Sequence, residues 1–288
     1  MSTSPHDGRA GARVTTTVDA SAAGGARPIE RVALDIGDRH LDLEYRRIGV
    51  ADSPLPTVVF LHEGLGSVAM WKDFPERFCA ANGLRGLVYS RYGYGRSTPK
   101  PPAERWTPDF MHRAARDVLP TFLAALGIER PWLFGHSDGG SIALLHAATH
   151  PVAGVVAVAP HIRVEDLSIA SIEKAREAYA TTDLRARLGA YHDDPDSAFR
   201  GWNDIWLDPA FRDWNIEAEL ATITAPVLAV QGEDDEYGTL EQVRAIARRL
   251  PKTRLLVIAK CGHSPHRDQP EILSREAGRF IVGAASTH

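Results

Sequence analysis

The segment that most limits how this chain can fold lies near its middle, where residues 135–139 read Gly-His-Ser-Asp-Gly. An apolar run typical of a strand (131–134) precedes it, and a run typical of a helix (141–148) follows it. A serine hydroxyl is a weak nucleophile at neutral pH, so it needs an adjacent base and an exposed position. A sharp strand-to-helix turn provides the exposure, and flanking glycines tolerate its strained backbone and let strand and helix pack closely. The segment therefore predicts that Ser137 is a nucleophile on such a turn.

A candidate acid and a candidate base follow Ser137 along the chain. The apolar run 226–231 is typical of a buried strand, and four consecutive acidic residues (233–236) come just after it. A second strand-like run, 255–259, leads into a loop that contains His263. Open α/β sheets place their functional groups at the carboxyl ends of parallel strands. The order serine, acid, histidine therefore favours nucleophilic catalysis assisted by a base and a carboxylate.

With these elements the chain resembles the α/β-hydrolase superfamily, over about residues 30–285. The resemblance implies a mostly parallel central sheet flanked by helices, with a helical cap inserted after the sixth strand of that fold. The segments that carry it are 60–67 (Phe-Leu-His-Glu-Gly-Leu-Gly-Ser), 90–97 (Ser-Arg-Tyr-Gly-Tyr-Gly-Arg-Ser), 135–140, 232–235 and 262–266.

The resemblance also implies roles for three side chains. Ser137 would attack an acyl carbonyl, and His263 would take and then return the proton. The acid would fix the tautomer of the histidine and stabilise the imidazolium. The family's Gly-x-x-Asp pattern, applied to Gly232, makes Asp235 the acid. The alternatives are, in order, Asp234 and then Glu233 or Glu236.

An oxyanion hole needs backbone N–H donors, and the resemblance implies that Asp138, the residue after the nucleophile, provides one of them. The second should come from the upstream glycine-rich loop. That loop departs from the family's usual His-Gly-x-Gly, because Glu63 separates His62 from Gly64. Taking Glu63 and Gly64 as the counterpart of His-Gly makes the N–H of Leu65 the second donor.

Two carboxylates next to this hole, those of Glu63 and Asp138, need an explanation. A carboxylate opposes the developing negative charge unless it points away, is protonated, or binds a cationic or hydroxyl part of the substrate. We expect both to point outward or to be hydrogen-bonded, and we count Glu63 among the candidate pocket residues.

Strand-like and helix-like runs alternate along most of the chain, which favours a mostly parallel sheet covered by helices. The predicted strands are 41–44, 58–61, 86–89, 132–134, 155–159, 227–230 and 255–258. The predicted helices include 71–81, 110–126, 141–150, 240–250 and 271–281.

The alternation stops in the segment 161–224, which is charged and rich in aromatic residues. The resemblance implies that this segment is the cap, between core segments 28–160 and 225–288, and we expect 1–27 to be a flexible tail. Most of the aromatic side chains should form the interior of the cap. One or two that face Ser137 would line the pocket. The candidates are Trp202 and Trp206, together with His161 at the end of the preceding strand.

Composition narrows the possible partners. A net charge of −4 and a pI near 6.3 provide no basic surface for nucleic acid. No apolar stretch reaches the ~20 residues of a membrane span, and the polar N-terminal residues lack a signal-peptide pattern. We therefore expect a cytoplasmic protein that binds neither membranes nor nucleic acid, and its oligomeric state stays open. The two cysteines, Cys79 and Cys261, are expected to be reduced thiols.

A metal site is not expected. His263 and His266 have an i, i+3 spacing, but no second pair with ligand spacing accompanies them in the sequence. Serine–histidine–carboxylate chemistry also needs no cofactor, so none is predicted.

These observations predict a serine hydrolase that acts on an ester, lactone or thioester of a small organic molecule. One alternative is a C–C bond hydrolase of diketones from aromatic ring cleavage, although the members compared have Trp after the catalytic histidine, where this chain has Ser264. Related dehalogenases and epoxide hydrolases use an aspartate nucleophile, so Ser137 argues against both. The other alternative is a non-catalytic small-molecule-binding protein on the same scaffold, which would not need all three triad residues.

Overall fold

The computed structural model describes residues 28–285, which form one eight-stranded sheet with helices packed against it. The strands are β1 (Glu30–Ile36), β2 (Arg39–Gly49), β3 (Val58–Leu61), β4 (Arg85–Tyr89), β5 (Trp132–His136), β6 (Gly154–Val158), β7 (Val227–Gly232) and β8 (Arg254–Ile258). Their order in the sheet is β1-β2-β4-β3-β5-β6-β7-β8. The two pairings of β2 are antiparallel, and the strands from β4 through β8 pair in parallel. The predicted fold class is therefore confirmed, whereas the tail predicted at 1–27 lies outside the described residues.

Helices cover the sheet. They are α1 (Phe74–Asn82), α2 (Phe110–Arg113), α3 (Leu119–Ala125), α4 (Asp138–Ala147), α5 (Asp166–Thr181), α6 (Leu184–Leu188), α7 (Pro195–Trp206), α8 (Glu217–Leu220), α9 (Glu241–Arg249), α10 (Pro265–Asp268) and α11 (Pro270–Ala285). None of the helices within residues 28–285 is both long and apolar enough to cross a membrane.

The central strands are buried on both faces, as parallel strands between helical layers must be. Every residue of β3, β5 and β6 is buried. Phe60 of β3 packs with Phe78 and Phe134 in one apolar layer, and its neighbours Val59 and Leu61 belong to the opposite layer. This alternation places the core on both sides of the sheet. The parallel pairing of β3 to β8 brings their carboxyl ends to one edge.

The edge of the sheet differs from the sequence prediction. Strand β1 was not predicted, and β2 is longer than the predicted strand 41–44. Apolar residues of the two strands lie opposite each other, as in the pairs Val32–Leu43 and Leu34–Leu41. In β2 the polar residues His40, Asp42 and Glu44 alternate with the apolar ones, and β1 has only a short apolar run, so neither strand has a long apolar pattern in the sequence.

The predicted helix 110–126 is interrupted by a π-helical turn at Ala114–Val118. The N–H of Leu119 donates to the carbonyl of Ala114, five residues back, and Pro120 has no N–H to donate. The carbonyl of Ala115 instead accepts a hydrogen bond of 2.8 Å from Nδ1 of the buried His146 in α4. A tertiary contact therefore satisfies a backbone group that the helix leaves unpaired.

Replacing His146 by leucine should lower the free energy of unfolding at neutral pH. It should also make that free energy fall less steeply as the pH decreases. Loss of the donor to Ala115 is expected to cost about 1–3 kcal/mol of unfolding free energy. Burial lowers the pKa of His146 to about 4, so only the unfolded chain takes up this proton just below about pH 6.5. Stability should therefore fall between about pH 6.5 and 4, by up to about 1.4 kcal/mol per pH unit from this residue, and the variant should lack that component.

Urea unfolding at about pH 7.5, 6 and 5 measures both effects of His146→Leu. His150→Leu is the matched control, because it removes a histidine that stacks on His146 but leaves the bond to Ala115 in place. Equal pH slopes in the wild type and His146→Leu would contradict the interpretation.

Between β6 and β7 the chain leaves the sheet as residues 161–224, called the inserted segment below, which contains α5–α8 and a 3₁₀ turn at Pro209–Phe211. Its two ends are joined to each other. Arg163 and Asn215 form an isolated antiparallel bridge, and the N–H of Ile216 donates to the carbonyl of Ile162 at 2.8 Å. The segment therefore leaves and rejoins the core at neighbouring points.

Candidate active site

The turn after β5 holds Ser137 in a backbone conformation that residues other than glycine rarely adopt, with φ 53° and ψ −122°. Its N–H donates to the carbonyl of Val158 in β6 at 2.9 Å. A Cβ on Gly135 would overlap the carbonyl of Gly139, and a Cβ on Gly139 would overlap the carbonyl of Leu61. Both glycines are thus required sterically, and the packing around them maintains the strained turn.

Ser137, His263 and Asp235 form a continuous chain of hydrogen bonds. Oγ of Ser137 lies 2.9 Å from Nε2 of His263, and Nδ1 of His263 lies 2.9 and 3.0 Å from the two carboxylate oxygens of Asp235. Because a carboxylate can only accept, Nδ1 carries the proton and Nε2 is free to accept from the serine hydroxyl. Ser137 is only 6% exposed, so the turn projects it beyond the sheet but not into open solvent.

Asp235 is held by three further donors. Its Oδ2 accepts from Nε2 of Gln231 at 2.7 Å, and its Oδ1 accepts from the N–H groups of Tyr237 and Gly238 at 2.8 and 3.1 Å. Burial alone would raise the pKa of Asp235, but the hydrogen bond from His263 and that from Tyr237 outweigh it and keep the pKa below its ordinary value. Asp235 is therefore an anion with a fixed orientation towards the imidazole.

The neighbouring acids do not take this place. Glu233 and Asp234 are exposed. Glu236 is exposed too, and its carboxylate accepts from the backbone N–H of His263 at 3.1 Å rather than from the ring. Within the described residues, only Asp235 brings a carboxylate to the His263 imidazole.

His136, inside the Gly-x-Ser-x-Gly segment, packs beside His263 and supports the loop that carries it. Its Nε2 donates to the backbone carbonyl of His263 at 2.7 Å, and its Nδ1 lies 3.4 Å from the carboxylate of Glu63. Burial acts to raise the pKa of Glu63, but the hydrogen bond with His136 outweighs it and holds the pKa below its ordinary value. Glu63 thus reaches the loop of His263 through His136. Its carboxylate is hydrogen-bonded, which was one of the two expected arrangements.

The loop after β3 is fixed from two sides. Nδ1 of His62 donates to the carbonyl of Glu63 at 2.7 Å, and its Nε2 accepts from the N–H of Arg91 at 2.9 Å. His192, from the inserted segment, donates through Nε2 to the carbonyl of Leu65 at 3.0 Å. In the described part of the chain, the N–H of Leu65 and the N–H of Asp138 donate to no protein group. Both predicted oxyanion donors are thus unused by the protein.

Two tryptophans of α7 lie directly on this region. Trp202 packs on Gly64 so closely that a Cβ there would overlap its indole ring. Nε1 of Trp206 donates to Oδ1 of Asp138 at 3.2 Å. Asp138 is fully buried, so it does not point outward, and burial raises the pKa of its carboxyl. Both candidate tryptophans therefore contact the predicted oxyanion region.

A sequence comparison identifies the family of this chain. The model of the alpha/beta hydrolase family matches residues 58–276. The chain belongs to this family. The part that matches runs from β3 into α11 and so includes the turn at Ser137, Asp235 and His263.

Several curated proteins are similar to this alpha/beta hydrolase along most of its length. A putative carbamate hydrolase, RutD, from Caulobacter sp. (strain K31) is 28% identical over 79% of this chain and 91% of its own length. The bifunctional esterase/perhydrolase DCH from Acinetobacter calcoaceticus is 26% identical over 84% of this chain and 96% of its own. Among solved structures, a thermophilic esterase from Thermogutta terrifontis superposes with a TM-score of 0.68, at 20% identity over 88% of this chain and 98% of the other. At that identity the superposition shows a shared fold.

The remaining candidate pocket residue of this alpha/beta hydrolase, His161, lies between the triad and α7. Its ring centre is 5.8 Å from that of His263 and 4.8 Å from that of Trp206. Burial and the neighbouring His263 lower its pKa to about 3, so it is neutral. His161 therefore lies where the sequence places it, at the end of β6 next to the site.

Sequence reasoning missed several residues that shape the site. Gln231 precedes the acidic run by a short distance, and a polar residue at the end of an otherwise apolar strand was the available signal. His192 had no signal, because its contact with Leu65 joins parts of the chain that are far apart in sequence. Arg91 and Tyr94 stand in the segment 90–97, where the arginine is buried without an obvious partner in the sequence.

The two cysteines of this alpha/beta hydrolase do not compete with Ser137. Cys79 and Cys261 are unpaired and buried, and burial raises the pKa of each thiol to about 12. Both are therefore protonated and weakly nucleophilic at neutral pH. Within residues 28–285 no group of three or more His, Cys, Asp or Glu side chains has an arrangement suited to a metal ion.

Proposed function

We propose that this protein is a serine hydrolase that cleaves an ester, lactone or thioester of a small organic molecule through an acyl-enzyme, without a cofactor. The observation that carries the proposal is the unbroken hydrogen-bonded chain from the Ser137 hydroxyl through His263 to Asp235. Because Nδ1 of His263 donates to Asp235, Nε2 faces the hydroxyl as the acceptor, which is the arrangement that a general base needs.

The first half of the reaction forms an ester on the protein. Oγ of Ser137 attacks the substrate carbonyl carbon while its proton moves to Nε2 of His263, and Asp235 stabilises the resulting imidazolium. The carbonyl oxygen becomes an oxyanion that accepts from the N–H groups of Leu65 and Asp138. When the tetrahedral species collapses, the bond to the leaving alcohol or thiol breaks, and His263 returns the proton to that group.

The second half releases the acid. Water gives a proton to Nε2 of His263 and attacks the acyl-enzyme carbonyl, and the oxyanion again accepts from the same two N–H groups. Collapse then breaks the bond to Ser137, whose oxygen recovers its proton from His263. Substrate and water are consumed and acid and alcohol are formed, so no oxidant or metal is required.

The inserted segment would act as a cap over this chemistry. Trp202 packs on Gly64 and Trp206 hydrogen-bonds Asp138, both in the predicted oxyanion region, and the neighbouring Ser137 is itself buried. A covered site limits the substrate to a small molecule and excludes bulk water while the carbonyl reacts. The relatives named as a carbamate hydrolase and as an esterase/perhydrolase support hydrolysis at a carbonyl group.

Turnover of p-nitrophenyl esters of increasing acyl length tests the proposal. We expect hydrolysis of short acyl chains with a steep decline as the chain lengthens, because the tryptophans of α7 limit the space above Ser137. The measurement is initial release of p-nitrophenolate, accompanied by mass-spectrometric detection of an organophosphonate adduct on intact protein. The length at which activity declines estimates the size of the acyl pocket.

Other outcomes would redirect the proposal. Adduct formation without hydrolysis of any ester would favour the C–C bond hydrolase, because a competent nucleophile would then require a different substrate. Neither adduct nor hydrolysis, in protein that unfolds cooperatively, would favour a non-catalytic binding protein.

A further inference from the structure

Twelve buried side-chain atoms in the described residues lack a hydrogen-bond partner of good geometry, and three of them belong to side chains that lie together beside Ser137. These atoms are Oδ2 of Asp138, Nε of Arg91 and the hydroxyl of Tyr94. Asp138 is 0%, Tyr94 1% and Arg91 5% exposed. Buried polar groups are nearly always paired, because an unpaired one forfeits its interaction with water. Arg91 is close to both of the others, but Oδ2 of Asp138 and Nε of Arg91 keep room for a further hydrogen-bonding partner.

The three side chains form one cluster. Nη2 of Arg91 lies 3.8 Å from Oδ2 of Asp138, and the guanidinium carbon of Arg91 lies 4.6 Å from the centre of the Tyr94 ring. Trp206 already occupies the other carboxylate oxygen of Asp138, and the Glu63 carbonyl accepts from Nη2 of Arg91 at 2.8 Å. Contacts made by other atoms of these three side chains thus fix the orientation of the atoms that lack a partner.

The cluster adjoins the position at which the substrate carbonyl would react. Asp138 immediately follows Ser137, and its own N–H is one of the two proposed oxyanion donors. Arg91 contacts the loop that carries Leu65, the source of the other donor. A substrate group in the cluster would therefore lie only a few bonds from the scissile carbonyl.

The chemistry of the three atoms favours a neutral ligand group. The carboxylate oxygen accepts, the guanidinium Nε–H donates, and the tyrosine hydroxyl can do either. Burial raises the pKa of Asp138, but Arg91 at 3.8 Å favours its ionised form. With both groups charged, an ammonium would meet the guanidinium and a carboxylate would meet the carboxylate of Asp138. A hydroxyl or a primary amide both donates and accepts without adding charge.

We propose that Asp138, Arg91 and Tyr94 form a subsite that binds a neutral hydroxyl or carboxamide group of the substrate, close to the scissile carbonyl. The inference rests on the proposed function and narrows it, since the substrate becomes a hydroxylated or amide-bearing ester rather than a plain aliphatic one. Binding would pair the three unused atoms, and an isosteric methyl group would leave them unpaired.

Arg91 also lines a cavity of about 480 Å³, to whose walls neither Asp138, Tyr94 nor Ser137 contributes. The turn between β1 and β2, residues 104–107 and the helical run 110–121 form most of its walls. The rings of Trp106 and Phe110 are stacked, with their centres 5.4 Å apart, and form an apolar side of this cavity. This cavity therefore meets the proposed subsite only at Arg91.

Tyr94→Phe tests the subsite with a minimal change, because it removes one hydroxyl whose protein interaction is with Arg91, another member of the subsite. Acyl-side pairs are p-nitrophenyl 3-hydroxybutyrate against 3-methylbutyrate and p-nitrophenyl succinamate against 4-oxopentanoate. The alcohol-side pair is 2-hydroxyethyl against propyl butyrate. We expect the wild type to favour the polar member of at least one pair by about tenfold or more in kcat/KM, and Tyr94→Phe to reduce that preference by about tenfold.

Tyr45→Phe is the matched control. Tyr45 is also buried, but its hydroxyl donates to Glu30 at 2.9 Å in the β1–β2 hairpin. This control should lower the melting temperature and leave substrate preference unchanged, whereas Tyr94→Phe should change preference and not lower the melting temperature. A fall in melting temperature for Tyr94→Phe with unchanged preference would overturn the subsite and make the hydroxyl structural.

A binding experiment tests the subsite independently of whether the proposed hydrolysis occurs. In Ser137→Ala, calorimetry should show tighter binding of ethyl 3-hydroxybutyrate than of ethyl 3-methylbutyrate, and the added Tyr94→Phe substitution should remove the difference. This readout needs no turnover. Ester hydrolysis with no polar preference in any pair, or with preference for p-nitrophenyl hydrogen succinate, would overturn the neutral-group subsite and leave the serine hydrolase intact.

Discussion

Replacing Ser137 by alanine is expected to lower kcat for p-nitrophenyl butyrate by about 10⁶-fold, to the level left by binding and the oxyanion donors. The substitution removes the only atom that can attack the carbonyl in the proposed reaction, and it also removes the proton that His263 receives. The change is small sterically, because alanine keeps the Cβ that the packed turn already accommodates. Initial-rate kinetics on Ser137→Ala, with unfolding by urea to check the fold, measure the effect.

Ser53→Ala is the matched control for this experiment. Ser53 is also a buried serine, but it donates to the carbonyl of Gly83 far from the triad. Its replacement should leave kcat and organophosphonate labelling near wild-type values. Continued labelling of Ser137→Ala at the wild-type rate would place the nucleophile at another residue.

Replacing Asp235 by asparagine is expected to lower kcat by about 10⁴-fold, because the imidazole then loses the tautomer it needs. The side chain at this position meets three donors besides His263, namely Gln231 and the N–H groups of Tyr237 and Gly238. The NH₂ group of an asparagine would face these donors and could not accept from any of them. It would favour the His263 tautomer in which Nδ1 accepts a hydrogen bond. Nε2 would then carry the proton and could not receive one from serine.

Asp234→Asn separates this effect from a general loss of acidic charge. Asp234 is exposed, and its side chain makes no contact with the His263 ring. We expect Asp234→Asn to retain kcat within about threefold, in line with the small effects of surface substitutions. A 10⁴-fold loss in Asp234→Asn with an active Asp235→Asn would exchange the two assignments.

The parts of this site that the sequence predicts are those that strand ends place. Ser137, Asp235 and His263 each follow an apolar strand. Parallel strands bring their carboxyl ends to one edge of the sheet, independently of the length and packing of the helices between them. Local sequence therefore contained enough information to bring these three residues together, and the resemblance to a known family selected Asp235 from the four acids.

The remaining contacts depend on packing between distant segments. His192 reaches Leu65 only because α6 and α7 fold back over the sheet, and Arg91 is buried only because Asp138 and the loop after β3 surround it. The same limit applies to the fold. Neither the pairing of β1 with β2 nor the π-helical turn follows from a local apolar pattern, since both depend on a partner elsewhere in the chain, such as His146.

The joined ends of the inserted segment have a consequence for how this enzyme can diversify. Because Arg163 pairs with Asn215, and Ile162 with Ile216, about fifty residues depart from and return to nearly the same point of the sheet. Insertions, deletions or wholesale exchange of that stretch would leave the spacing of the neighbouring strands unchanged. Substrate range could then change over evolution, or in a chimeric library, while the three residues at the strand ends stay in place. The two contacts that an exchanged segment would have to reproduce are those of Trp206 with Asp138 and His192 with Leu65.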